Sequence, residues 1–374
     1  MRQRNQHRSL LALQQVPDFG VRRIKLLLDK TGAADISELF SMKMRDLTRI
    51  DGIGEHVARN LTDFDDWETV DNMLEKSEKI GAEIVSIYDE DYPLLLRHIY
   101  DPPILLWLKG NREALISDGV AVIGTRRPGK YGMVQASKWA QKIAKTGLCI
   151  NSGLAYGVDA IAHKGALETG GKTVAVLGSG IDVIYPARNS HIAKKIIETG
   201  GAVITEHPPG AAPDAANFPG RNRIVSGMSH GVLVVESGIK GGSMITARFA
   251  LDQNREVFVI PHPLDYARGE GCNYLIRTGQ GKLVQSIEDI LDEISIETGS
   301  GESKVNETPA KKWVALTLNE ELKQICEMLT ETDLHIDQIS DRTGKPTYTL
   351  LPKLLELEML GAVKQRAGKY FELI

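Results

Sequence analysis

Arginine and glycine recur together at the ends of apolar runs in this chain, and that pairing is the chemistry of anion binding. Gly124-Thr125-Arg126-Arg127 follows the run Val120–Ile123, and Ser152-Gly153 follows Leu148–Asn151. Gly178-Ser179-Gly180 follows Val174–Leu177, with Tyr185-Pro186-Ala187-Arg188-Asn189 beyond it. Phe218-Pro219-Gly220-Arg221-Asn222-Arg223 precedes the run Val232–Val235, and Lys240, Gly242, Ser243 and Thr246 come after it. Glycine lets a phosphate approach the backbone, and a guanidinium fork grips phosphate oxygens in pairs. Phe218 and Tyr185 add flat faces on which bases could stack. A cationic groove with stacking faces suits a single strand bound without sequence readout. For Arg221 and Arg223 a second role is equally open: pairing with Glu206, Glu236 or Asp182 to hold the fold.

Other nucleotide chemistries fit less well. The first turn, Gly124 to Gly129, lacks the G-x-G-x-x-G spacing, and the second run ends in Asn151-Ser152 rather than an acidic residue for a ribose. Ala166 to Thr173 approximates G-x-x-x-x-G-K-T, but it lies between a helix and a following strand, the reverse of a phosphate loop. Gly241 to Thr246 has the right polarity, opening a helix after a strand. It is related to the loop of phosphoribohydrolase-like enzymes, which is the competing functional reading. Ala247, Arg248 and Phe249 follow where that chemistry needs a glutamate. No Ser/His/Asp or metal-ligand spacing replaces it, so the expectation is a binder without cofactor or metal. Asp159 and His163, at i and i+4, read as a structural hydrogen-bonded pair.

The elements that must position these loops alternate strand and helix. Runs at 120–123, 148–151, 174–177, 202–205, 232–235, 257–260 and 282–284, with helices between them, predict a doubly wound α/β domain of Rossmann-like type with a mainly parallel sheet. In such a domain ligands bind beyond the carboxyl ends of the strands. Residues 81–118 add short strands to its edge, so the domain spans 81–295. Residues 1–80 read as helical, and Leu47 to Leu61 around Gly52-Ile53-Gly54 reads as a helix-hairpin-helix (SAM-like), with a degraded copy at Val16–Arg23. Two roles are open to it: phosphate binding, against which Asp51 and Glu55 argue, and helical packing. Residues 296–312 read as a Ser/Gly linker. Residues 313–374 read as a winged helix, with helices at 320–329, 336–343 and 348–360 and a two-stranded wing. For this unit contact with DNA, contact with protein and a purely structural role all stay open.

Bulk charge does not decide between partners. The 374 residues carry net −4, yet residues 1–30 hold seven basic against two acidic residues, residues 82–295 hold 22 of each, and residues 313–374 hold seven basic against ten acidic. A polyanion site in the middle must therefore come from local clustering. No apolar run reaches membrane-spanning length. Three widely spaced cysteines, Cys149, Cys272 and Cys326, read as core filler in a reduced, cytoplasmic setting.

A set of these motifs also resembles a known family. Gly124-Thr125-Arg126, Ser152-Gly153-Leu154-Ala155 with Gly157-Val158-Asp159 and Ala162-His163, and Ala175 to Gly180 are similar in kind and order to the DNA-processing protein A family (DprA, also called Smf). So are Tyr185-Pro186, Phe218-Pro219 with Arg221 to Ile224, and Gly242 to Ala247. The resemblance implies a non-enzymatic, dimerising binder of single-stranded DNA that protects incoming strands and loads the RecA recombinase in natural transformation. It makes Arg126 the leading contact, flanked by the loops at Ser152-Gly153 and Gly178–Gly180. Ala187 stands where a basic residue often follows Tyr-Pro, which shifts that expectation to Arg188. Tyr156 stands where a basic residue often precedes Gly157, and it could stack a base instead. Pro261-His262 stands where Pro-Gly is common.

Overall fold

The computed structural model describes residues 2–31, 36–294, 318–330 and 332–373. The expected linker, 296–312, lies outside them. Five helices, α1 (Arg2–Gln15), α2 (Val21–Thr31), α3 (Met44–Leu47), α4 (Glu55–Thr62) and α5 (Trp67–Lys79), make the amino-terminal unit. Their apolar stripes supply fully buried Leu10, Leu11, Ile24, Leu27, Leu47 and Leu61. The two hairpins face each other. Arg23 donates to the carbonyls of Asp18 and Gly52, His56 lies 3.3 Å from the Asp18 carboxylate, and Asn60 donates to Pro17 O at 3.0 Å. These contacts support the packing role of the helix-hairpin-helix.

The central sheet of the described residues has the order β1-β2-β6-β5-β4-β3-β7-β8-β9. These strands are β1 (Glu83–Ser86), β2 (Leu105–Gly110), β3 (Gly119–Ile123), β4 (Cys149–Ser152), β5 (Thr173–Val176), β6 (Ala202–Thr205), β7 (Gly231–Val234), β8 (Glu256–Val259) and β9 (Lys282–Leu283). From β6 to β9 every pairing is parallel. β2 joins β6 antiparallel, and β1 joins β2 antiparallel, which is the expected edge addition from 81–118. Strands β3 to β7 are buried along their whole length. Two apolar clusters form the core, Val120, Val122, Ile150 and Leu233 falling in one and Ala121, Ile123, Val174 and Val232 in the other. That alternation along β3 and β7 sends successive side chains to opposite faces.

Helices α6 (Leu94–Arg97), α7 (Lys130–Lys145), α8 (Val158–Glu168), α9 (Ser190–Glu198), α10 (Asn217–Gly227), α11 (Gly242–Asp252), α12 (Glu270–Arg277) and α13 (Glu288–Ile294) complete this domain. After β3 the chain builds outward through β4, β5 and β6, then returns to the other side of β3 with β7 and β8. The reversal leaves a crevice at the carboxyl ends of β3 and β7, where open α/β sheets bind ligands.

The carboxy-terminal unit has its own core, including Leu322, Ile325, Leu350, Leu354 and Phe371. Helices α14 (Glu320–Met328), α15 (Ile336–Thr343) and α16 (Thr347–Met359) match the expected winged helix. The wing strands β11 (Val363–Arg366) and β12 (Tyr370–Leu373) are joined by a third, β10 (Leu334–His335), that pairs with β12. The unit docks on the central domain. Arg255 bonds Asp337 at 2.8 Å with both side chains almost fully buried, and it donates to Leu95 O at 2.7 Å. In the wing, Arg366 is held by Asp333 and Glu372.

Candidate nucleic-acid interface

A groove of about 690 Å³ opens in the crevice beyond β3, β4 and β7. Its first wall is the turn after β3. Thr125 N donates to Glu236 O at 2.7 Å, and Thr125 Oγ1 accepts from Arg127 N at 3.2 Å. This bend turns Arg126 outward, where it is exposed. Its guanidinium lies over the ring of Phe218, 5.7 Å from the centroid. Phe218 sits in the first turn of α10, and Arg221 one turn later lies 5.9 Å from the same ring. Spacing of i and i+3 on α10 thus puts both on one face. Tyr185, 42% exposed, comes from the loop after β5 and packs against Phe218 at 5.6 Å. The result is an aromatic pair with cations on it, open to solvent on the Tyr185 side.

The floor is made of groups that hold strand ends in place. Arg221 is 4% exposed, and its Nη1 donates to Gly153 O at 2.6 Å and to Val176 O. A Cβ on Gly153 would overlap the guanidinium, so a side chain there would displace Arg221 from its carbonyls. Asp159, in the first turn of α8, accepts from Gly153 N at 3.1 Å and Ala155 N at 3.4 Å. Burial pushes the Asp159 carboxyl up, and the nearby Arg221 partly offsets this. Burial lowers Arg221 to about 10, so it still carries its charge at neutral pH. The opposite wall is the amino terminus of α11, where Gly242 and Ser243 line the groove and Thr246 follows one turn on. First-turn N–H groups lack intrahelical acceptors and carry the positive end of the helix dipole. Three elements therefore present positive charge or N–H donors to one space flanked by aromatic rings, an arrangement suited to phosphates and bases together.

Of the predicted site residues, Gly124, Thr125, Arg126, Gly153, Tyr185, Phe218, Arg221, Gly242, Ser243 and Thr246 line the groove. Others do not. Arg223 is buried and makes a bidentate pair with Glu206, 2.7 Å on each branch, and a contact of 3.1 Å with Asp101. Two residues on from Arg221 along a helix, it points elsewhere, and its guanidinium is taken up by these carboxylates rather than lining the groove. Ser152 is buried and donates to Val122 O at 2.7 Å. Gly178 lies beneath Phe218, Ser179 donates to Val183 O at 2.6 Å, and Gly180 faces the backbone of Pro208–Ala211. These three are buried and do not line the groove. Asn189 is buried and donates to the carbonyls of Leu154 and Ala155 at 2.9 and 3.2 Å. Arg127, Arg188, Lys240 and Tyr156 are exposed but are not among the lining residues.

The expected Asp159–His163 pair is absent. His163 bonds Thr173 Oγ1 at 2.7 Å instead, and because that hydroxyl gives its own proton to Ile150 O, His163 Nδ1 is the donor. Asp159 turns back to loop N–H groups at the start of its helix, which leaves the histidine one turn deeper, neutral, and lowered to about 3 by burial. Glu236 pairs with neither arginine; its carboxylate accepts from Gly129 N. Sequence reasoning missed the wall formed by Pro213 and Ala215. Its signal was the connection from Glu206 to Ala216 between β6 and α10, long for a domain of short turns. Among the described residues no group of three or more His, Cys, Asp or Glu is placed to hold a metal ion, and no helix is long and apolar enough to cross a membrane.

The chain is similar to known proteins over most of its length. The family model for DNA recombination-mediator protein A matches residues 83–295, and that for the DprA winged helix domain matches residues 309–369. Protein Smf of Escherichia coli (strain K12) is 36% identical over 309 residues, 82% of this chain and 81% of that protein. DNA processing protein DprA of Streptococcus pneumoniae is 43% identical over 208 residues, 56% of this chain and 73% of that one. The crystal structure of the Streptococcus pneumoniae protein superposes with a TM-score of 0.67 at 34% identity, covering 77% of this chain and 97% of the other. A structure addressing the single-stranded DNA binding mode of DNA processing protein A from Helicobacter pylori gives 0.51 at 30% identity, covering 56% and 94%. This chain belongs to the DNA recombination-mediator protein A (DprA/Smf) family.

Proposed function

We propose that this chain binds single-stranded DNA along the groove at the switch point, without a chemical step of its own. Bound strands are protected and handed to the RecA recombinase, with the chain acting as a homodimer in natural transformation. The observation that carries the binding role is the exposed Arg126 guanidinium stacked over Phe218, opposite the amino terminus of α11. A phosphate between them meets a fork on one side and backbone N–H groups on the other. Tyr185 and Phe218 then offer faces to neighbouring bases, and neither contact depends on base identity. Support for a DNA role comes from family membership, and support for single strands from the Helicobacter pylori relative. The RecA and dimer roles rest on the family resemblance.

The test is binding of an unstructured oligothymidylate and of a duplex of equal length, followed over a salt series. The expected result is tighter binding of the single strand, weakening linearly in log–log form as counterions are released. Equal affinity for both, or no salt dependence, refutes the binding role. RecA filament formation on strands precoated with single-strand-binding protein tests the loading role, which fails if the chain does not accelerate it. Sedimentation equilibrium tests the dimer.

A further inference from the structure

Glu236 is a charged residue beside the groove to which strand binding assigns no role. It is fully buried, two residues past the end of β7. Its backbone carbonyl accepts from Thr125 N at 2.7 Å. Its side-chain Oε1 accepts from Gly129 N at 2.9 Å and from the hydroxyl of Tyr266 at 3.2 Å. One residue therefore holds both ends of the loop that carries Arg126. Between those ends lie Arg126, Arg127 and Pro128, and proline has little backbone freedom of its own. Arg268 donates to Arg127 O at 3.2 Å and fixes the middle.

The fit around this carboxylate is close. A Cβ on Gly129 would overlap the Tyr266 hydroxyl, and one on Gly132 would overlap Glu236 Oε2. That oxygen has no hydrogen-bond partner among the described residues, and no cation pairs with it there. The amino terminus of α7, which begins at Lys130 with Gly129 as its cap, supplies the compensating positive potential. A buried charge with half of its hydrogen-bonding capacity unused costs stability. Its return is a loop held in one conformation before ligand arrives, which removes an ordering cost from binding.

We propose that Glu236 is the positioning residue of the strand-binding site, clamping the 125–129 loop so that Arg126 is preset over Phe218. The proposal rests on the reading of the groove as a single-strand site. It makes Glu236 act through Arg126, which a double-mutant cycle reads directly.

Oligothymidylate binding is measured for the full chain and its Arg126→Ala, Glu236→Ala and double variants over a salt series, with thermal unfolding alongside. Arg126→Ala is expected to weaken binding about thirtyfold at low salt and Glu236→Ala about tenfold, each lowering the salt slope by about one phosphate contact. The double variant is expected to be no weaker than Arg126→Ala alone. Glu236→Gln keeps an acceptor for Gly129 N and is expected to restore most of the affinity. Multiplicative losses in the double variant, or an unchanged salt slope in Glu236→Ala, overturn the clamp. Should Glu236→Ala not fold, Tyr266→Phe replaces it in the same cycle, with a loss of about threefold expected and the same non-additivity required. If Arg126→Ala itself binds normally, the groove reading fails first, and the two failures are told apart.

Discussion

Arg126→Ala separates contact with DNA from support of the fold more cleanly than any other substitution at the groove. Its side chain is exposed, rests on a ring face and pairs with no carboxylate among the described residues. Removing it should leave the unfolding midpoint within about a degree, since exposed positions away from caps and ion pairs change stability by about 0.5 kcal/mol or less. Binding should change far more. A charge-assisted contact contributes about 1.5–3 kcal/mol, so a loss of about 2 kcal/mol, or about thirtyfold in Kd, is expected at low salt. Single-strand binding loses about 0.7 of log–log salt slope for each phosphate contact removed. Between 50 and 200 mM salt the defect should then shrink about 2.6-fold, from about thirtyfold to about elevenfold. Fluorescence anisotropy of a labelled oligothymidylate at four salt concentrations measures both numbers. Arg126→Lys keeps the charge but loses the fork and the flat stack, so it should retain the slope and recover part of the affinity. A normal Kd for Arg126→Ala, or a thirtyfold loss with the wild-type slope, would refute phosphate contact by this residue.

Other positions should respond differently. Phe218→Ala removes the face that Arg126, Arg221 and Tyr185 share, and should cost about 1–3 kcal/mol of strand binding with little change in salt slope; a changed slope at constant affinity would contradict a stacking role. Arg223→Ala leaves Glu206 without its bidentate partner in a largely buried setting, so urea unfolding should show a loss of about 3 kcal/mol, whereas a folded, stable variant with a pure binding defect would return Arg223 to the DNA site. Asp337→Ala strands Arg255 between the central domain and the winged helix; small-angle scattering should show an increased radius of gyration, and an unchanged profile would mean that other contacts suffice for docking. Acid should destabilise the protein. Burial lowers His163 to about 3 and His335 to about 4. Between about pH 6.5 and pH 4 the unfolded imidazoles take up protons that the folded ones do not, so stability falls with pH by up to about 1.4 kcal/mol per unit for each histidine. A urea midpoint that is flat across that window would show that these rings are not buried neutral.

Much of the fold was legible because buried parallel strands are short continuous apolar runs. Val120–Ile123 and Ala202–Thr205 mark β3 and β6 to within a residue, and Ser190–Glu198 marks α9 at both ends. The ends that face the groove were legible too, since Gly124-Thr125 follows β3 and Ser152-Gly153 closes β4. The pairing of β10 with β12 was not, because a two-residue strand at Leu334–His335 has no periodicity to display. Nor was the docking of the winged helix. A single Arg255 and a single Asp337, distant in sequence, reveal themselves only when folding removes both from water.

The same physics explains why the arginines near the groove divide as they do. An arginine in a sequence shows its charge but not its desolvation. Arg221 and Arg223 lie inside α10, which packs its residues against the sheet, so their guanidinium groups must find carbonyls or carboxylates within the protein. Arg126 lies in a turn fixed at both ends by another residue's hydrogen bonds, so its backbone is satisfied and its side chain is left to solvent. Turn against helix interior is the distinction that separates them. It also explains why Gly153, Ser179 and Asn189 occur beside the groove without a common role. Gly153 gives Arg221 room, Ser179 ties its own loop, and Asn189 anchors the turn after β4. Strand-end motifs of this kind therefore mix one or two groups that meet the ligand with several that build the surface they stand on. Burial tells the two sets apart.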